Sequence, residues 1–277
     1  METYRANNIS NVTLERELIA AISITTLQNE LSPYYSDSLL PVRKKAYSLT
    51  YRKAKTEPVE NQKTAINRLI VGCSDENSNI INRNLEYLKQ FPQTAFDSLA
   101  KASIKKLLTN PKYESFKDIF LLAGFLNIGH ETIYRLSINP DTPQRLKWDL
   151  QLALARMGEP KALEIIMATV NQMDINDQVI IYLIPGLIYT RQKEAIDYCI
   201  EIIFDNEKNC SSPNAESSSK IICGYRVMEL VAPVIENFPF NTDASGTLVT
   251  NDYVTALKQV RDWLKANPDY NIKVNQF

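Results

Sequence analysis

Few side chains in this sequence have the type and spacing for chemistry. His130 is the single histidine of the chain, so a two-histidine metal site or a histidine pair for proton transfer is excluded. It follows Gly129 at a turn, and with no partner indicated nearby it reads as a turn residue rather than a general base. Four cysteines, Cys73, Cys199, Cys210 and Cys223, contain no C-x-x-C pair, which removes the usual spacing for zinc or dithiol redox work. Asp197 and Glu201 lie four apart and share a helix face. Two carboxylates alone hold a hard cation poorly, so a solvated face is the better account of them. No phosphate loop, nucleophile elbow or zinc-binding helix is present, and no cofactor is called for.

Charge narrows the field further. Lys and Arg number 31 against 32 Asp and Glu, a net charge of −1, which argues against phosphate neutralisation as the main task. The densest basic run, Arg43, Lys44, Lys45, Arg52, Lys53 and Lys55, has Tyr47 and Tyr51 within it. It reads either as a patch for an acidic partner or nucleic acid, or as a solvated face whose tyrosines pack on a neighbouring helix. The balanced total favours the second reading. Trp148 and Trp263 read as packing anchors.

The elements that would carry these residues are helices. Seven glycines in 277 residues are too few for a fold of many tight hairpins or a dinucleotide-binding unit. Thr142 is placed to cap a helix that opens on Pro143 and carries Leu146, Leu150, Leu154 and Met157 as one stripe, ending at Gly158. Pro160 opens a second helix with Ala162, Ile165, Ile166, Thr169, Val170 and Met173 as its stripe. So short a link makes the two antiparallel. Displacement by 33 residues carries Leu150, Leu154, Ala162, Ile166 and Val170 onto Leu183, Leu187, Ala195, Cys199 and Ile203. Displacement by −29 carries Leu150, Leu154, Met157 and Gly158 onto Leu121, Phe125, Ile128 and Gly129. Self-similarity at this period marks stacked helix pairs. Further pairs are predicted over 42–55 with 60–72, and over 79–90 with 93–108 across a Phe91-Pro92 link. Single helices are predicted over 13–31, 220–237 and 252–266, the last with a stripe of Val254, Leu257, Val260 and Leu264. Pro185 predicts a kink.

The run ALARMGEPKALEII, Ala153 to Ile166, resembles the HEAT repeat, and in particular its bacterial variety. Gly158, Glu159, Pro160, Ala162 and Leu163 match that family's turn, and Arg145 sits where its first helix often carries a basic residue. The 175–204 copy departs from it, with Thr190-Arg191-Gln192 at the turn. The resemblance implies an all-α fold, an α-α superhelix of antiparallel pairs. It would be a single domain over 1–277, with an N-terminal cap over 1–40, about five pairs over 41–205 and a C-terminal cap with two longer loops over 206–277.

A superhelix of this kind presents the second helix of each pair on its concave side. The implied function is a non-catalytic scaffold for a protein or peptide, with Lys105, Arg135, Glu164, Glu194, Tyr198 and Glu201 at the outward positions. Nucleic acid is disfavoured as a partner. The alternative is an enzyme of similar architecture, either an alkylpurine DNA glycosylase, for which Trp148-Asp149 is a superficial match, or a bilin lyase. Adjacent helical residues point about 100° apart, which weighs against the first. The oligomeric state is left open.

Compartment also stays open. No apolar run reaches the ~20 residues of a membrane span, and residues 1–11 are polar, unlike a signal peptide, so the chain reads as cytoplasmic. Cys210 and Cys223, across the polar loop SSPNAESSS, are either two independent thiols or a disulfide. A disulfide would imply an exported protein whose signal has been removed.

Overall fold

The computed structural model describes residues 1–7, 11–109, 116–213 and 218–277. The chain is mostly helical, its helices packing in sequence, and it divides into two compact units: residues 1–140 with 275–277, and residues 141–274.

The first unit begins with α1 (Glu2–Asn7), α2 (Val12–Ala21) and α3 (Ile24–Leu31). The single helix predicted over 13–31 is broken at Ile22-Ser23. There the Ser23 hydroxyl accepts from the Thr26 N–H at 3.1 Å, an N-cap that starts a new helix. Next come α4 (Leu40–Thr56), α5 (Lys63–Gly72), α6 (Ser78–Leu88), α7 (Ser98–Leu107), α8 (Phe116–Phe125) and α9 (His130–Ile138). The link between α6 and α7 is longer than Phe91-Pro92, because Gln93–Ala95 forms a separate 3₁₀ turn and Asp97 caps α7. Sequential neighbours touch (α3 with α4, α4 with α5, α5 with α6, α7 with α8), and so do alternate helices: α3 with α5 and α5 with α7, α4 with α6 and α6 with α8. Two rows result, and the faces between them are apolar: Val42, Ala46 and Leu49 of α4 and Ala65 and Leu69 of α5 are all buried. Gln93 joins α8 to the chain end, donating Nε2–H to the Phe125 carbonyl (2.9 Å) and its N–H to the Asn275 carbonyl (3.1 Å).

The second unit holds α10 (Gln144–Arg156), α11 (Pro160–Val170), α12 (Asp177–Tyr182), α13 (Ile184–Thr190), α14 (Lys193–Phe204), the two-residue strands β1 (Cys210–Ser211) and β2 (Lys220–Ile221), α15 (Gly224–Val231) and α16 (Tyr253–Ala266). Again α10 touches α13, α13 touches α15 and α14 touches α16, in addition to sequential neighbours. Thr142 does not cap α10. Pro143 holds that position without a side-chain bond, and the helix starts one residue later. At Pro185 the chain is divided at Leu183 into α12 and α13, Pro185 lying in the first turn of the latter. Of the helix predicted over 220–237 only Gly224–Val231 forms: residues 220–221 instead pair with 210–211 as an antiparallel ladder, and the helix ends at Val231. Val254 is exposed and does not belong to the α16 stripe, which is Ala256, Leu257, Val260 and Leu264. Ile165 and Met173 are likewise exposed rather than core.

Backbone conformation marks the joints. Gly129 (φ 72°) precedes α9, Gly158 (φ 88°) follows α10 and Arg191 (φ 56°) follows α13. Their spacings of 29 and 33 match the displacements that align the apolar stripes. Reversing a chain in two or three residues needs a left-handed step, which glycine takes without a Cβ clash.

Glycine at the end of α5 serves packing instead. A Cβ on Gly72 would lie 2.5 Å from Asn84 Nδ2 and 2.8 Å from Tyr47 Cε1, both side chains being buried. Gly72→Ala is therefore expected to lower stability in urea by ~1–3 kcal/mol despite better helix propensity. Gly158, with nothing within 4 Å of its would-be Cβ, should tolerate Asn with a loss below ~1 kcal/mol. Equal stability of Gly72→Ala and the parent would contradict the close approach of α4, α5 and α6.

Candidate functional site

The outward positions of the second helices sort into free and engaged side chains. In the first unit, Lys105 on α7 is exposed. Arg135 on α9 is also exposed and pairs with Glu131 one turn away at 3.4 Å. In the second unit, Glu164 on α11 pairs with Lys161 at 2.7 Å, and both are about two-thirds exposed. Glu194 and Glu201 on α14 are exposed and have no partner among the described residues, whereas Ala195, Cys199 and Ile203 on the same helix are buried.

Tyr198 is different. It is half-buried, and its hydroxyl donates to the Val170 carbonyl at the end of α11 at 3.2 Å, with burial raising its pKa. It ties α14 to α11, so it belongs to the packing.

Asp197 is engaged as well, which removes it from a two-carboxylate cation site with Glu201. It accepts from Tyr270 Oη at 2.7 Å and Lys193 Nζ at 2.6 Å, and Lys193 lies 4.3 Å from the Tyr270 ring centroid. Burial first, then the hydrogen bond to Asp197, raises the Tyr270 pKa well above an ordinary phenol. Among the described residues no group of three metal-ligating side chains exists.

Most of the basic run on α4 is paired. Arg43 meets Asp75 at 3.1 Å, Lys45 and Arg52 share Glu15 at 2.5 and 2.7 Å, Lys53 meets Glu57 at 2.7 Å and Lys55 donates to the Gln90 carbonyl at 2.9 Å. Lys44 is exposed without a described partner. Tyr47 is buried, and Tyr51 stacks on Tyr87 with centroids 4.1 Å apart. Burial is the largest single influence on Glu15 and raises its pKa, but the hydrogen bonds and charges of Lys45 and Arg52 together outweigh it and leave the pKa lowered.

His130 opens α9, exposed, its ring parallel to Tyr134 at 6.2 Å. Trp148 is half-buried and Asp149 buried on α10. Burial pushes the thiols of Cys73 and Cys199 up, Cys199 to about 12, so neither is a thiolate nucleophile at neutral pH.

Polar residues that the sequence did not single out build the far end of the second unit. Arg191 donates Nε–H to the Lys273 carbonyl (3.0 Å) and an Nη1–H to Ile188. Arg156 donates to the carbonyls of Tyr189 and Val274, each at 2.7 Å. Burial lowers their pKa values to about 9 and about 10, which leaves both charged at neutral pH. Residues 271–274 are also fixed by backbone bonds to Val234 and Glu236. Arg261 of α16 caps α14 by donating to the carbonyls of Ile203 and Asp205 at 2.7 and 2.8 Å.

Cys210 and Cys223 are joined, their Cα atoms 5.1 Å apart, beside the β1–β2 ladder. Of the loop between them, residues 214–217 lie outside the described residues. The hairpin is fastened to α12 by Asp177, which accepts from the Ser211 hydroxyl at 2.6 Å and its N–H at 2.9 Å and meets Arg226 at 3.0 Å. The Ser211 hydroxyl, with desolvation opposing it, and then the Ser211 N–H and the charges of Arg226 and Lys220 hold the Asp177 carboxyl below its ordinary value.

No family model matches the chain, and no curated protein or solved structure matches it.

Two outcomes follow from the hairpin. Oxidised protein, denatured, should titrate two thiols, Cys73 and Cys199, and four after reduction. Replacing Cys210 and Cys223 by Ser should cost ~3 kcal/mol for a loop of this length. Asp177 has a folded pKa below its unfolded value, so its stabilisation is present above about pH 4 and fades as pH falls through the folded pKa. Melting temperatures of the parent and Asp177→Asn should therefore differ most near pH 7 and converge as the pH falls below the folded pKa; a constant gap would rule out the carboxylate as the cause.

Proposed function

We propose that the chain is a non-catalytic scaffold: a HEAT-like superhelix of helix pairs that grips a protein or peptide along the outward positions of its second helices. The observation that supports this reading is the contrast within α14. Its inward side is buried, Asp197 and Tyr198 bind their neighbours, and Glu194 and Glu201 are left exposed with no partner among the described residues. On the preceding hairpin α11 adds the exposed Glu164, held by Lys161, and the exposed Ile165. Such a strip suits a partner that brings cations, since rim charges of opposite sign steer association and fix register. The two-row packing of alternate helices in each unit is what a stack of pairs requires.

The test is capture from an extract of the source cells with the intact chain and with Glu194→Lys/Glu201→Lys. Tyr198 is left in place because its replacement would loosen α14 from α11. A partner recovered at least tenfold better by the parent, from two variants of equal melting temperature, supports the reading. Identical recovery by both shows that α14 is not the binding side.

A further inference from the structure

Where α2 crosses α4 in the first unit, a groove of about 590 Å³ opens, lined by Arg16, Ile19 and Ala20 from one helix and by Tyr51, Arg52, Lys53, Lys55 and Thr56 from the other. Four of these eight residues are cations and none is a carboxylate. We propose that this groove is a docking site for an acidic peptide segment that carries a large apolar side chain, a site separate from the α11–α14 face.

Charge is the first argument. Glu15 and Glu57 stand behind the groove, and each is already committed, Glu15 to Arg52 and Lys45 and Glu57 to Lys53. The cations outnumber these acids. Arg16 is exposed and has no partner among the described residues. Arg52 uses one Nη1–H on Glu15, leaving most of its guanidinium fork without a bond, and Lys55 uses one donor on the Gln90 carbonyl. Guanidinium groups with unused parallel donors are matched to carboxylates. Lys53 is only 7% exposed and is offset by Glu57 at 2.7 Å, so the charge left for a ligand comes from Arg16, Arg52 and Lys55.

Shape and apolar lining supply the second argument. Ile19, Ala20 and the Tyr51 ring edge the groove with apolar surface beside its charges. Its volume lies within the ~300–1,000 Å³ typical of ligand sites. Carboxylates flanking one aliphatic or aromatic side chain would meet both features together.

A nucleic acid strand fits less well. Single-strand binding depends on aromatic rings free to stack with bases. Tyr51 is the groove's aromatic residue, and it is stacked on Tyr87 at 4.1 Å and edge-on to Phe91 at 6.0 Å.

The experiment uses the full chain, fluorescently labelled, on an array of synthetic octapeptides divided into acidic, neutral and basic sets, each with and without Leu or Phe, alongside immobilised oligo-dT. Retention is expected on acidic peptides that contain Leu or Phe and to fall at least tenfold on their Gln/Asn counterparts. Arg16→Glu should lower retention at least fivefold with an unchanged melting temperature, because the Arg16 side chain has no partner among the described residues. Glu194→Lys/Glu201→Lys should leave it unaltered, which separates this groove from the α14 face. Retention on neutral peptides as strong as on acidic ones, equal retention by Arg16→Glu, preference for oligo-dT, or no retention anywhere would each overturn the proposal.

Discussion

Helices as short as these are marginal in water, since each turn fixes several dihedrals for one hydrogen bond. What holds them is burial of one side against both the next helix and the next but one, and that demand shapes everything else. It explains why the inward positions are nearly all Ala, Ile, Leu and Val at near-zero exposure. Glycine is needed in α5 for a further reason: three helices meet where Gly72, Asn84 and Tyr47 touch.

Stacking in this way requires the chain to reverse between the paired helices, at α8–α9, α10–α11 and α13–α14 within a few residues, and the solutions at those joints differ chemically. Gly129 and Gly158 adopt positive φ at little cost. Arg191 adopts it with a Cβ, a conformation worth roughly 1 kcal/mol of strain in most contexts. Its guanidinium compensates by binding the carbonyls of Ile188 and Lys273, so the same residue terminates α13 and anchors the segment that runs beside α15. The Arg156 guanidinium, on Tyr189 and Val274, repeats the device one hairpin earlier. Two charged groups in so dry a place are tolerable because carbonyls meet their donors.

Legibility in the sequence follows the range of each interaction. Periodicity of apolar residues is local, and α4 through α14 were readable from it, with errors of a few residues at caps and links. The Pro185 break and the Gly158 turn were readable from single residues whose backbone preferences are strong. The 220–221 strand was not, because residues 220–231 have helical composition and only the link to Cys210 and the grip of Asp177 on Ser211 pull the first two residues out of helix. Nor did the α2–α3 division show, since Ser23 sits in an apolar run whose periodicity continues across it.

Candidate site residues were less legible for a related reason. An outward position on a helix says that a side chain is not core; it does not say whether a distant group claims it. Tyr198 and Asp197 are claimed by Val170 and Tyr270, and the basic run on α4 by Glu15, Asp75, Glu57 and Gln90, partners that a pattern of three and four residues cannot reach. Arg16 carried no signal at all, being one cation on a helix read as a cap. Subtracting the claimed charges leaves, among others, exposed carboxylates on α14 and unused guanidinium donors beside α2. Exposed charges contribute little to stability wherever they stand, so the packing that fixes the core does not fix their pattern, and apolar periodicity could not announce them.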